Sequence, residues 1–146
     1  MENVKRIIVG GLILDSNNRL LLQKKDSEYY WWPNYWCVFG GGVKTGENLE
    51  DCFYREMEEE NNLKLYDLEY FHSHSFSETS KDDGNKKREG IIHYFKAKFD
   101  GDLSKIRLGE GAGFSIFEKE EIDSLNNQKI IIPYVHDTIN LLYKEL

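Results

Sequence analysis

Residues 41–63 read GGVKTGENLEDCFYREMEEENNL. From Glu47 to Asn61 the apolar residues Leu49, Cys52, Phe53 and Met57 recur at i, i+3, i+4 and i+8, which predicts a helix with one buried face. On that helix Glu56, Glu59 and Glu60 stand at i, i+3 and i+4 and share a second face, while Glu58 points elsewhere. Like charges at that spacing repel by roughly a few tenths of a kcal/mol per pair. A hard cation seated between the carboxylates would remove the repulsion, and oxygen donors suit Mg²⁺ or Mn²⁺. A solvated acidic face is the other reading, and the helix pattern alone leaves both open. Arg55, four residues after Asp51 and four before Glu59, can pair with carboxylates and fix their rotamers. Asn61 and Asn62 close the helix, because Asn accepts the left-handed conformation. Ahead of it, Gly40, Gly41, Gly42 and Gly46 predict a tight loop whose backbone can approach a ligand or metal. It is not a P-loop, since no GK[ST] follows and the GxGxxG order is absent.

Upstream, residues 4–14 are rich in Val, Ile and Leu and stop at the turn formers 15–18; residues 19–24 read as the return strand of a hairpin. Residues 26–36 crowd Tyr29, Tyr30, Trp31, Trp32, Tyr35 and Trp36 around Pro33, so this loop packs its rings or holds a ligand or partner. A short apolar segment, 36–39, leads into the glycines. Downstream, 64–76 and 90–99 are strand-like, separated by a polar segment from Ser77 to Glu89 that reads as a mobile loop. A short strand at 114–117 precedes a helix starting at Glu118. A last helix begins near Pro133, with Ile139, Leu142 and Leu146 among its apolar positions. The pattern predicts one α/β or α+β domain over residues 1–146. With 19 Lys+Arg against 26 Asp+Glu and a net charge of -7, the chain does not suit a stable nucleic-acid partner or a membrane surface. No apolar run approaches the roughly 18 residues of a membrane span, and the opening MENVKRIIVGGLIL reads as a strand and not a leader. Cys37 and Cys52 are too few for a disulfide framework or zinc cluster, so a cytoplasmic protein is the expectation.

The whole segment resembles the box of the Nudix hydrolases (MutT-like proteins), G-x5-E-x7-R-E-U-x-E-E-x-G-U, where U is a bulky aliphatic residue. Gly41, Glu47, Arg55, Glu56, Met57, Glu59, Glu60 and Leu63 match, and Asn62 replaces the second glycine. Phe39 stands where many members carry proline in a Pro-Gly-Gly run. The resemblance implies an α/β/α sandwich whose mixed sheet carries a loop-helix-loop box. It also implies Mg²⁺-dependent hydrolysis of a nucleoside diphosphate linked to another group, with Mn²⁺ as a possible substitute. Glu56, Glu59, Glu60 and the carbonyl of Gly40 would hold the metal, and Glu56 is the first candidate for general base. Glu110, in the downstream loop, is assigned an additional catalytic or metal-binding role, with Glu89 as runner-up. Arg55 would orient Glu56 or Glu59, while Glu47 and Asn62 would be structural members of the box.

Substrate contacts are assigned to Lys24, Lys25, Trp32 and Gly41. Trp31 and Tyr35 are further stacking candidates, and Lys81, Lys86, Lys87 and Arg88 form either a lid over phosphates or a solvated loop. His72 and His74 alternate along a strand and read as surface residues. An NTP, dNTP or nucleotide sugar is the expected substrate. The alternatives are a catalytically silent nucleotide sensor or interaction module, and an acidic cation-binding protein. The aromatic loop also suits a homodimer contact.

Overall fold

The computed structural model describes residues 2–79, 86–108 and 111–146. Its elements follow the order β1 (Glu2–Leu14), β2 (Leu20–Lys24), β3 (Trp36–Cys37), β4 (Phe39–Gly42), α1 (Leu49–Glu60), β5 (Tyr66–Thr79), β6 (Lys86–Lys98), β7 (Gly113–Phe117), α2 (Lys119–Asn127) and α3 (Pro133–Glu145). The described strands form one mixed sheet of order β3-β2-β1-β6-β5, with β4 added to β1 and β7 to β2. One edge of β1 runs parallel to β6 over its whole length, from Glu2↔Lys86 to Leu14↔Lys98. The other edge is shared: β2 pairs at Ile13 and Leu14, and β4 takes Ile8 to Gly11.

Alternation along these strands sends side chains to two cores. Val9, Ile13, Leu21, Phe39 and Phe95 pack with Cys52, Phe53 and Met57 of α1. Leu12, Leu20, Leu22, Ile92 and Tyr94 face Ile122 of α2 and Val135, Ile139 and Leu142 of α3. The result is the three-layer α/β/α arrangement expected, with α1 on one face and α2 and α3 on the other. Helix α3 starts on Pro133 and ends at Glu145, so Leu146 lies beyond it and stays 52% exposed instead of joining the apolar face.

Two expectations need correction. The glycines 40–42 are not a loop but most of strand β4. A Cβ on Gly40 would collide with the Val9 carbonyl oxygen, so the run lets two backbones approach more closely than side chains permit. The segment Ser77 to Glu89 is strand at both ends: β5 runs to Thr79 and β6 starts at Lys86, with Thr79↔Lys87 the outermost pair. Residues 80–85, Lys81 among them, lie outside the described residues.

Helix α1 is capped by Asn48, whose side chain accepts from the Asp51 amide at 2.8 Å. At its other end Asn62 sits at φ 55, and its amide and that of Asn61 both return to the Met57 carbonyl. A Cβ in that conformation is strained unless a local polar side chain compensates. Asn62→Ala is therefore expected to lose about 1 kcal/mol of unfolding free energy, while Asn62→Gly stays near the parent. Urea denaturation of the three proteins checks this.

Candidate active site

Arg55 organises the acidic face of α1. Its Nε and Nη2 donate to the two oxygens of Glu47 at 2.8 and 2.9 Å, a bidentate pair. Nη1 donates to Glu56 Oε1 at 2.9 Å and to Glu59 Oε2 at 3.3 Å, and Nη2 also reaches the Gly42 carbonyl at 3.0 Å. One guanidinium thus joins three box carboxylates to strand β4. Those hydrogen bonds hold the Glu47 carboxyl down at about 2, and the same carboxylates push the Arg55 guanidinium above its ordinary range. Gly41 has a second task. A Cβ there would overlap the Glu56 carboxylate, so its absence is what lets that group lie against the strand.

Glu60 turns away from its neighbours. It is 4% exposed, and its Oε2 accepts from Gln23 Nε2 of β2 at 3.1 Å. Among the described residues no three His, Cys, Asp or Glu side chains lie close enough together to hold a metal ion. Arg55 stands between Glu47, Glu56 and Glu59, and Glu60 faces Gln23. The donor chemistry of Glu56, Glu59, Glu60 and the Gly40 carbonyl is nevertheless all oxygen, which fits a hard divalent cation.

A cavity of about 510 Å³ opens beside these groups. Glu56, Glu59 and Gly40 to Gly42 form one wall. Tyr94, Ile132, Tyr134, Arg6, Lys25, Trp31 and Arg88 complete its lining. The loop 26–36 does both things its composition allowed. Trp32, Tyr35 and Trp36 pack on the core, and Tyr29, Tyr30 and Trp31 line the cavity.

Of the assigned substrate contacts, Lys25 and Gly41 reach the cavity whereas Lys24 and Trp32 are not among its lining residues. Lys25 Nζ donates to the Trp31 carbonyl at 3.2 Å. The indole of Trp32 donates to Glu78 at 2.6 Å, and its ring packs edge-on to Tyr35 and Tyr134. Glu110 lies outside the described residues. Glu89 alternates with Arg88 on β6, in the set that carries Phe95 to the α1 face. His74 stacks on Tyr134 at 5.2 Å. Both cysteines are free and buried, and burial pushes each thiol up to about 12. The sequence reading missed Gln23, Arg6 and Tyr94. Alternation along β1 and β6 puts Arg6 with Ile8 and Tyr94 with Ile92 on the α2–α3 side, while Gln23 follows Leu21 to the α1 side, where it meets Glu60.

A family model of the NUDIX domain matches residues 4–136. The chain belongs to the Nudix family. Solved Nudix structures share the fold over nearly the whole chain. The MutT protein from Methanosarcina mazei Go1 superposes with a TM-score of 0.78 at 21% identity, covering 99% of this chain and 97% of that one. The E. coli dihydroneopterin triphosphate pyrophosphohydrolase follows at 0.72 and 15% identity, covering 98% and 99%. The Nudix domain of Shewanella oneidensis NrtR, solved with ADP ribose, gives 0.67 at 12% identity, covering 97% and 86%. No curated protein matches the sequence. These comparisons make the chain a Nudix hydrolase by family and by fold, and among the described residues no helix is long and apolar enough to cross a membrane.

Proposed function

We propose that this Nudix protein hydrolyses a phosphoanhydride in a nucleotide-type substrate, an NTP, dNTP or nucleotide sugar, in a Mg²⁺-dependent reaction. The observation that carries the reading is the Arg55 cluster: a guanidinium bonded to Glu47, Glu56 and Glu59 along the wall of a cavity large enough for a nucleotide. Glu56, Glu59, Glu60 and the Gly40 carbonyl would hold the cation. Once bound, it would neutralise phosphate charge and make water more acidic. Glu59 has the longest of the Arg55 ion pairs, 3.3 Å, and is 55% exposed, so it is the carboxylate freest to turn toward a cation.

The chain's own part is positioning and proton transfer. Arg55 fixes Glu56 through Oε1, and Oε2 accepts no hydrogen bond from a described residue. Oε2 is therefore the atom to receive a proton from the attacking water. Gly41 keeps that carboxylate against β4, and Tyr29, Tyr30, Trp31 and Tyr134 add aromatic surface to the cavity, with Lys25, Lys86, Arg88 and His74 in turn lying over a face of each. The role assigned to Glu110 remains part of this proposal. Two buried free thiols suit a reducing, cytoplasmic site of action.

The test is a hydrolysis screen of NTPs, dNTPs, nucleotide sugars, dinucleoside polyphosphates and NADH, with products identified by mass spectrometry. Turnover with Mg²⁺ that stops in EDTA supports the reading, and the products name the bond cleaved. No turnover across the panel, with nucleotide binding retained, would instead make this a silent nucleotide-sensing module.

A further inference from the structure

The cavity lining carries both signs of charge: Glu56 and Glu59, and three cations, Arg6, Lys25 and Arg88. In a chain of net charge -7 such a group of cations is a local exception. It is created by the parallel pairing of β1 and β6, which joins residues from the two halves of the sequence. Arg6 pairs with Gly90, and Val4 pairs with Arg88. The two arginines are therefore diagonal neighbours on one face of the sheet, with Cα atoms about 8 Å apart by strand geometry. Two guanidinium groups at that spacing can grip one phosphate between them.

Each arginine is prepared differently. Arg88 is 8% exposed, an expensive place for a charge unless it is paired. Its Nε donates to Glu78 Oε1 at 2.6 Å, while the other Glu78 oxygen takes the Trp32 indole N–H. Trp31 and Phe76 lie against the guanidinium, with ring centroids 4.7 and 5.3 Å from its central carbon. Arg88 is thus held rigidly at the cavity, and Glu78 balances its charge.

Arg6 is the opposite case. It is exposed, and its guanidinium makes no hydrogen bond or ion pair with any described residue. Its Nη2 lies over Gly42, 3.0 Å from where a Cβ would stand, so the missing side chain at 42 opens the space the guanidinium occupies. With Glu78 assigned to Arg88, no carboxylate among the described residues pairs with Arg6, which lines the cavity.

We propose that Arg6 and Arg88 form an oxyanion-binding site for a phosphate group of the substrate, in the cavity that Glu56 and Glu59 also line. The assignment deepens the hydrolase reading and rests on it for the identity of the ligand. Its test, however, needs neither metal nor turnover. The parent, Arg6→Gln, Arg6→Lys and Lys5→Gln are titrated calorimetrically with inorganic tripolyphosphate in EDTA. Lys5→Gln removes the same charge one residue away, on the opposite face of β1. The expected result is a Kd raised about 10-fold or more in Arg6→Gln, partial recovery in Arg6→Lys, and a Lys5→Gln value within about twofold of the parent. Because Arg6 is exposed, the substitution leaves the fold intact, and thermal melting verifies that. Equal weakening by Arg6→Gln and Lys5→Gln would reduce the effect to overall charge and overturn the site, as would tripolyphosphate failing to bind the parent. Loss of binding in Arg6→Gln alone, together with a silent hydrolysis screen, would refute the hydrolase and leave the phosphate site standing.

Discussion

Replacing Glu56 by Gln is expected to lower kcat about 1,000-fold, within the range associated with losing a positioned general base. The substitution is nearly isosteric. The amide oxygen can still accept from Arg55 Nη1, now at 2.9 Å from Oε1, and the group still fits the space that Gly41 leaves open. What disappears is the basic oxygen and one negative charge. The fall should therefore appear in kcat, with KM changed much less, and the melting temperature should stay within a few degrees of the parent. Steady-state kinetics on the best substrate of the hydrolysis screen, beside thermal melts, makes the comparison. A variant retaining a tenth or more of the parent kcat would remove Glu56 as the base.

Gly40→Ala should have the largest effect on stability. The added methyl would overlap the Val9 carbonyl oxygen and come within 3.0 Å of the Gly10 Cα, and neither backbone atom can rotate aside. Strand β4 would have to move off β1, breaking a ladder that runs from Ile8↔Gly42 to Gly11↔Phe39. A loss of about 3 kcal/mol is expected, the upper end for overpacking, which lowers the melting temperature by about 10 °C in a domain of this size. Gly113→Ala is the control, because a Cβ there meets nothing within 4 Å. If both variants melt together, the close approach of β4 to β1 is not what requires glycine at position 40.

The legible parts of this chain were those governed by neighbours in sequence. The helical period of Leu49, Cys52, Phe53 and Met57 located α1 to within two residues of its observed start and one of its end. The turn formers at 15–18 gave the β1–β2 connection for the same reason. The glycines 40–42 were misread because local rules associate glycine with loops. Here the relevant fact is a backbone on another strand, which the local pattern does not encode.

The site divides along the same line. Glu56, Glu59 and Arg55 could be found because one helix carries them at fixed spacing. Lys25, Trp31 and Arg88 were named as well, but Arg6 was not, since it meets Arg88 only through a long-range parallel pairing. Lys24 and Trp32 fall outside the cavity lining for a different reason. Each lies next in sequence to a residue that does line the cavity, Lys25 and Trp31, and a shift of one position sends a side chain to other surroundings.

The parallel ladder between β1 and β6 also sets a timetable. On the ribosome β1 emerges ahead of the other described strands, and it can close a hairpin with β2 almost at once. Its other edge must wait until β6 has been made, after β2 to β5 and α1 have left the tunnel. Until then a long, largely apolar edge lies open to whatever strand passes, and closing so large a loop is slow. The newborn chain is thus most vulnerable to aggregation just before residue 98 appears.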